Sequence, residues 1–420
     1  MQELIQTYWR KQAGKSFLVV SLDFSLRIVS LFVFPGLYLA LALTSIIHTV
    51  KIGFIYHERL GHLALNTDLY LRRKWLQPKS TRESHIFLVY SPANRQLLKM
   101  FSRQMTIFES ELLAKLFSPL AVFNTRFHVS LPFIGNEYEV FNSSPPQIKF
   151  TEDESLLGRK YLAELGINSD DWFVCIFARD HKYYRVHSPN TNTAFSDHRN
   201  ADINTFKLAA EAVVELGGWV VRMGSSVEQP IMFDHPRIID YASTCRNDFL
   251  DIFLTAHARF YVGTTSGASD VAVLFDVPFV GVNYVPIGCQ PFGKNSIFIP
   301  KKIVAKGTGL LVPLADQLRL FTGNQMSAHL IPEECLGEHD WQFLDNSPEE
   351  IKAATLEMVN RLDGRFVEDD RYRELQTRYI NLLPNENIYR KNISPMCSSF
   401  LTSILNSQIA KNTQRKYVSS

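Results

Sequence analysis

The sequence reads as an α/β protein, with two successive parallel, doubly wound domains behind an apolar helical leader. Three observations carry that reading. From residue 51 onward, short apolar runs alternate with helical stretches, as parallel β-α-β units require. The run Phe260-Tyr261-Val262 breaks at a glycine-rich turn, Gly263-Thr264-Thr265-Ser266-Gly267, which leads into a helix. Residues 28–47 hold no charge, and a stretch of about 20 such residues is long enough to cross a bilayer.

The boundaries fall at a leader (1–50), a first domain (51–150), a second domain (151–385) and a tail (386–420) that can return to the first domain. A chain of 420 residues with 46% hydrophobic and 20% charged residues is globular and large enough for two cores. Its net charge of +2 gives no reason to expect a nucleic-acid partner. Five scattered cysteines form no C-x-x-C pair and no disulfide framework, which fits a reducing compartment.

The leader follows Arg10, Lys11 and Lys15, and its apolar part starts too late and runs too long for a cleaved signal peptide. Pro35-Gly36 is expected to split it into two helices, about 15–34 and 37–50. Three arrangements compete. A spanning helix would put the body on the far side of the membrane. Two buried helices could instead pack on the domain or serve in oligomerisation. A bent, in-plane or re-entrant anchor keeps the body on the cytoplasmic side of the inner membrane, peripheral or monotopic, and is preferred.

In the first domain, residues 50–55 read as a strand running into Tyr56-His57-Glu58-Arg59-Leu60-Gly61-His62, then a helix over 63–75. His57, Glu58, Arg59, His62 and Asn66 make a dense polar cluster where the chain leaves that strand. Strands follow at 85–90 and 105–108, with helices at 94–104 and 109–117. Residues 125–146 are rich in proline, asparagine and aromatics, and Pro145-Pro146 marks the exit.

The second domain opens with Thr151-Glu152-Asp153-Glu154. This is a capping box, whose carboxylates favour the helix's positive end and need no metal. Residues 172–178 form a buried strand ending at Arg179-Asp180. A long polar loop follows with His181, Lys182, Tyr183, Tyr184, Arg185, His187, His198 and Arg199; its histidines lack zinc spacing and read as solvated. A helix over 205–216 ends at Gly217-Gly218, strands follow at 219–223 and 237–241, and a helix closes near Ala258. A strand then precedes the central turn, a helix over 268–275 follows it, and 279–284 is the next strand. Asn346-Ser347-Pro348-Glu349-Glu350 caps a helix reaching Leu362.

The turn at Gly263–Gly267 sits where a strand's carboxyl end opens onto a ligand crevice. Its glycines admit close backbone approach, its amides head a helix, and its three hydroxyls can bond to phosphate oxygens. It is no Walker loop, having no Gly-Lys-Ser/Thr, and comes too late in the chain for a dinucleotide fingerprint. A plain tight corner is the competing reading.

Glu58-Arg59-Leu60-Gly61-His62-Leu63-Ala64-Leu65-Asn66, Trp219–Gly224, Pro236–Tyr241 and Asp248–Asp251 resemble strings of a bacterial glycosyltransferase family associated with surface-polysaccharide loci. The similarity covers residues 51 to about 400. It implies a GT-B-like architecture, two Rossmann-like domains facing a cleft, and transfer from a nucleotide-sugar to a glycan or lipid-linked acceptor. More distantly, the chain is similar to fucosyltransferases in which an arginine after the second domain's first strand holds the donor diphosphate. Arg179 occupies that place.

On this resemblance the donor-binding set is Arg179, Gly263, Thr264, Thr265, Ser266 and Gly267 for the diphosphate, and Arg222, Asp240 and Tyr241 near the nucleoside. His62, or else Glu58, is the candidate base if configuration inverts. Arg222 also fits a salt-bridge partner, Asp240 a helix cap and His62 a structural turn residue. No D-x-D closes a strand, so no metal and no cofactor beyond the nucleotide-sugar is expected. Rival readings are a nucleotide-sugar epimerase of the same layout, which turns over donor without acceptor, and a non-catalytic membrane-associated assembly protein.

Overall fold

The computed structural model describes residues 17–77, 82–132, 138–187, 194–285, 290–293, 295–319, 336–385, 390 and 394–405. They fall into two compact units, 17–132 and 138 onward. Arg10, Lys11, Lys15 and the tail beyond Leu405 lie outside the described residues, as do the side chains of Tyr184 and His187.

The first unit is a parallel sheet in the order β3-β2-β1-β4, built from β1 (Thr49–Phe54), β2 (Glu83–Val89), β3 (Thr106–Glu109) and β4 (His128–Val129). Its helices are α1 (Phe17–Thr44), α2 (Thr67–Leu76), α3 (Arg95–Ser102) and α4 (Glu111–Val122). α1 runs unbroken through Pro35, where a division into two helices was expected. Phe34, Leu37, Tyr38 and Leu41 on either side of the proline pack at helical spacing on the core under α4. The Phe34 and Phe123 rings stand 5.2 Å apart, as do those of Tyr38 and Phe127. Burying large apolar side chains is worth ~1.5–3 kcal/mol each when complete, so even partial burial of four offsets the ~3 kcal/mol of a helical proline. Asp23 on the same face pairs with Lys115 of α4 at 2.7 Å and with Arg27 at 3.0 Å. These cations, against the opposing effect of burial, hold its carboxyl down at about 2.

Beneath β1's exit, α2 carries a fully buried ion pair, Arg72 Nε to Asp68 Oδ2 at 2.6 Å. Residues four apart share one helix face, and neither charge could be buried without the other.

The second unit holds a six-stranded parallel sheet in the order β10-β9-β8-β5-β6-β7. Its strands are β5 (Phe173–Phe177), β6 (Trp219–Arg222), β7 (Ile238–Ile239), β8 (Phe260–Gly263), β9 (Phe279–Tyr284) and β10 (Ile297–Pro300). β5, β8, β9 and β10 are almost wholly buried apolar runs, as expected of strands covered by helices on both faces. Those helices include α5 (Glu152–Glu164), α6 (Lys207–Glu215), α7 (Asp248–His257), α8 (Gly267–Leu274), α9 (Pro348–Leu362) and α10 (Asp370–Leu382). An antiparallel pair, β11 (Lys302–Ala305) with β12 (Trp341–Leu344), stands apart from the sheet.

Two boundaries differ from expectation. Residues 138–150 belong to the second unit, because Phe141 packs on Phe292 and Phe150 on Phe253 and Phe275. Residues 394–405, expected to return to the first domain, pack into the second unit's core through Met396, Phe400, Leu401 and Ile404.

The capping box at Thr151 is present in full: Thr151 Oγ1 accepts from Glu154 N at 3.2 Å, and Glu154 Oε2 from Thr151 N at 3.0 Å. Thr151→Ala is expected to cost about 1 kcal/mol of second-unit stability, read as a lower urea midpoint at unchanged slope.

Candidate functional site

The order of the second sheet fixes where a ligand crevice can form. From β5 the chain moves outward through β6 and β7, then crosses back to place β8 on β5's other side. β5 and β8 therefore flank the topological switch point, beyond whose carboxyl ends α/β proteins bind ligands. Both stretches singled out from the sequence end there. Phe177 pairs with Gly263, Thr264 N donates to Phe177 O at 3.2 Å, and Arg179 N donates to Thr264 Oγ1 at 3.0 Å. At Gly263 a Cβ would stand 3.1 Å from Phe177 O and 3.0 Å from the Tyr261 ring, so any side chain there would push its neighbours outward.

The turn itself is closed. Thr264, Thr265 and Ser266 are 0%, 7% and 8% exposed. Their hydroxyls, expected to face a ligand, hold the chain instead, as buried polar groups must be paired. Thr264 Oγ1 accepts the Arg179 amide. Thr265 Oγ1 exchanges bonds with Val285 O and N at 3.2 and 3.3 Å. Ser266 caps α8 by accepting from Ala268 N and Ser269 N, and Gly267 opens that helix. The close-fitting turn thus sets the helix's amino end at the switch point.

Three cations gather around it. Arg179 is buried, and its Nη1 donates to Asn200 Oδ1. Arg199 Nη2 donates to Thr265 O at 2.8 Å. Lys301 Nζ donates to Asn200 O at 2.7 Å and pairs with Asp345 at 2.6 Å. Burial pushes the Lys301 ammonium below its usual value; Asp345 opposes that and Arg179 adds to it. Lys301 escaped the sequence reading, although it follows β10 directly and so stands at the same edge of the sheet as Arg179.

Next to this cluster lies a cavity of about 340 Å³, bordered by Ala178, Asp180, His181, Asn200, Arg222 and Glu228 among others. Arg222 is buried and donates to Asp240 Oδ1 at 2.9 Å and to Gln229 O at 3.3 Å. Its Nε has no partner among the described residues. Asp240 Oδ2 accepts from Ile231 N and Ser243 Oγ. Tyr241 is fully buried, and its hydroxyl donates to Asp251 Oδ1 at 2.8 Å and accepts from Asn247 N at 3.0 Å. Burial, reinforced by Asp251, drives that phenol well above its ordinary range. Asp240 thus holds Arg222 in place, whereas Tyr241 ties the start of α7 through Asn247 and Asp251. A surface hollow of about 520 Å³ lies at the start of α5, bordered by Phe150, Glu152, Ser155, Leu156 and Arg159.

In the first unit, the polar cluster follows β1. Glu58 is exposed. His62 opens a single π-turn, His62–Asn66, that leads into α2. Its Nδ1 lies 3.2 Å from Asn66 Oδ1, and its ring centroid is 6.2 Å from that of Tyr56.

Neither protein-family models nor curated proteins yield a match to this sequence. Solved structures similar to the chain include glycosyltransferases. ADP-heptose lps heptosyltransferase II of E. coli is 15% identical over 69% of this chain and 99% of its own, with a TM-score of 0.40. A glycosyl transferase family 9 structure from Veillonella parvula is 12% identical over 60% and 86%, also at 0.40. The iron-containing dodecameric glycosyltransferase TibC from enterotoxigenic E. coli is 12% identical over 75% and 76%, at 0.37. Overlaps this slight transfer neither substrate nor mechanism, and the fold class stands on the chain's own two parallel sheets.

Asp270, in α8's first turn, was not singled out from the sequence. The residue keeps some surface, yet its carboxyl lies deep, and burial raises it to about 7 against the opposing pull of Arg199. The folded chain therefore binds a proton there that the unfolded chain has already released. Stability should fall as pH rises from about 4 to about 7, and Asp270→Asn should flatten that part of a urea-midpoint profile.

Proposed function

We propose that the chain is a glycosyltransferase moving a hexosyl or deoxyhexosyl group from a nucleotide-sugar to a polysaccharide, glycan or lipid-linked acceptor in surface-polysaccharide assembly. The observation that carries the reading is the junction of Arg179 with the Thr264 turn at the second sheet's switch point, with Arg199 and Lys301 beside it. Departure of a nucleoside diphosphate builds negative charge on the leaving oxygen, and preorganised cations at a helix's amino end stabilise such charge. The diphosphate belongs against Arg179, at the amino end of α8 that the closed Gly263–Gly267 turn sets in place. The nucleoside belongs in the cavity bordered by Arg222, which Asp240 holds in place, with Tyr241 next to Asp240 in the chain. In an inverting reaction His62 is the base for the acceptor hydroxyl, with Glu58 the alternative. The cations supply the charge a metal would otherwise provide, so the reaction is read as metal-independent.

A panel of nucleoside diphosphates and nucleotide-sugars should contain at least one that raises the melting temperature. With that donor, Arg179→Ala is expected to lower nucleoside diphosphate release about 100- to 1,000-fold, whereas EDTA leaves it unchanged. A panel without any stabilising member would sink the reading and favour a non-catalytic assembly protein.

The cytoplasmic side of the inner membrane is the proposed location. α1 is apolar enough to cross a bilayer, but its Asp23-to-Leu41 face is docked on the first unit, which favours an in-plane, monotopic seat. Its outer side presents Leu22, Phe24, Leu31, Phe32, Leu39 and Leu43. The protein should float with phospholipid vesicles, and Phe32→Asp with Leu39→Asp should leave most of it in the soluble fraction at unchanged melting temperature.

A further inference from the structure

We propose that Asn66 positions His62 as a proton acceptor by fixing which ring nitrogen carries the hydrogen; this rests on the transferase reading above. Asn66 is fully buried. Its Nδ2 donates to Pro132 O at 2.7 Å. A carbonyl oxygen only accepts, so the amide's orientation is fixed, and Oδ1 is the atom turned to His62 Nδ1 at 3.2 Å. That oxygen also only accepts, so the hydrogen resides on Nδ1. A neutral imidazole protonated at Nδ1 carries its lone pair on Nε2.

A further observation separates this arrangement from a structural use of asparagine. The pair spans a π-turn, a rare conformation that is frequent at functional sites. Leu63, Ala64 and Leu65 are buried within that turn, and the buried Asp68–Arg72 pair follows, so Asn66 has a rigid seat.

In the reaction, Nε2 takes the proton of the acceptor hydroxyl while the acceptor oxygen bonds to the anomeric carbon. The bond from that carbon to the diphosphate oxygen breaks, and its electron pair leaves on the diphosphate. Nδ1–H stays hydrogen-bonded to Asn66 throughout and stabilises the imidazolium that forms, as a correctly oriented partner does in hydrolytic triads.

Long-range ¹H–¹⁵N spectra of histidine-labelled protein test the claim without any ligand, with the His62 signal assigned by its loss in His62→Gln. Above its titration, His62 should show a protonated Nδ1 and an unprotonated Nε2, and Asn66→Ala should convert it to a mixture of tautomers. Asn66→Asp puts a carboxylate beside Nδ1–H and should raise the His62 titration midpoint by about one unit or more. The wild-type tautomer decides the matter even if neither variant folds. With a donor from the panel, Asn66→Ala is expected to lower kcat about 100-fold with KM within about threefold, while Asn66→Asp moves the acid limb of the pH–rate profile upward. A wild-type Nε2–H tautomer, or a tautomer and midpoint indifferent to both substitutions, overturns the proposal. A panel yielding no donor defeats the transferase reading alone, because the tautomer is measured independently.

Discussion

The hydrogen bond from the Arg179 amide to the Thr264 hydroxyl joins two parts of the chain 85 residues apart. It exists because β5 and β8 are neighbours in space though not in sequence, which is the definition of the switch point in this sheet. Without that adjacency Arg179 would be an arginine in a loop, and the glycine turn an ordinary corner. With it, a guanidinium, a helix's amino end and the two further cations Arg199 and Lys301 share one edge of the sheet. Burying so much positive charge is costly, and Asp345, Asn200 and the Thr265 carbonyl meet part of that cost.

The parallel sheets were legible because their strands are short, apolar and punctuated by turn residues; Phe173–Phe177 and Phe260–Gly263 need no tertiary information to be recognised. The capping residues Thr151 and Ser347 were legible for the same reason, since their hydrogen bonds close within four residues. What sequence could not supply was the use of each polar atom. Three hydroxyls between two glycines look available to a ligand, and only the fold reveals that Val285, Arg179 and the first turn of α8 already occupy them. Lys301 and Asn200 meet Arg179 through contacts spanning a hundred residues or about twenty, and no local pattern announces either. Pro35 misled because its local cost is visible in the sequence, whereas the packing of Phe34 and Tyr38 that outweighs it is not.

The two units use the same βα turn in different ways. After β8 the turn is sealed and serves to aim a helix. After β1 the chain passes through a polar loop and a π-turn, and the half-buried imidazole of His62 is held at one nitrogen by a buried amide. The first arrangement concentrates fixed charge, and the second concentrates a titratable group.

The sheet order that makes the switch point also sets a problem during synthesis. β5 is the earliest strand of its sheet and a continuous apolar run, Phe-Val-Cys-Ile-Phe. One of its two neighbours, β8, is made about as much later as the 85 residues between Arg179 and Thr264 take to translate, roughly 4–17 s at typical elongation rates. For that interval the nascent chain carries an unpaired, sticky edge. The residues that flank the strand, Asp170 and Asp171 before it and Arg179, Asp180 and Lys182 after it, are charged, which is the composition that keeps such a segment from associating with its own kind while it waits.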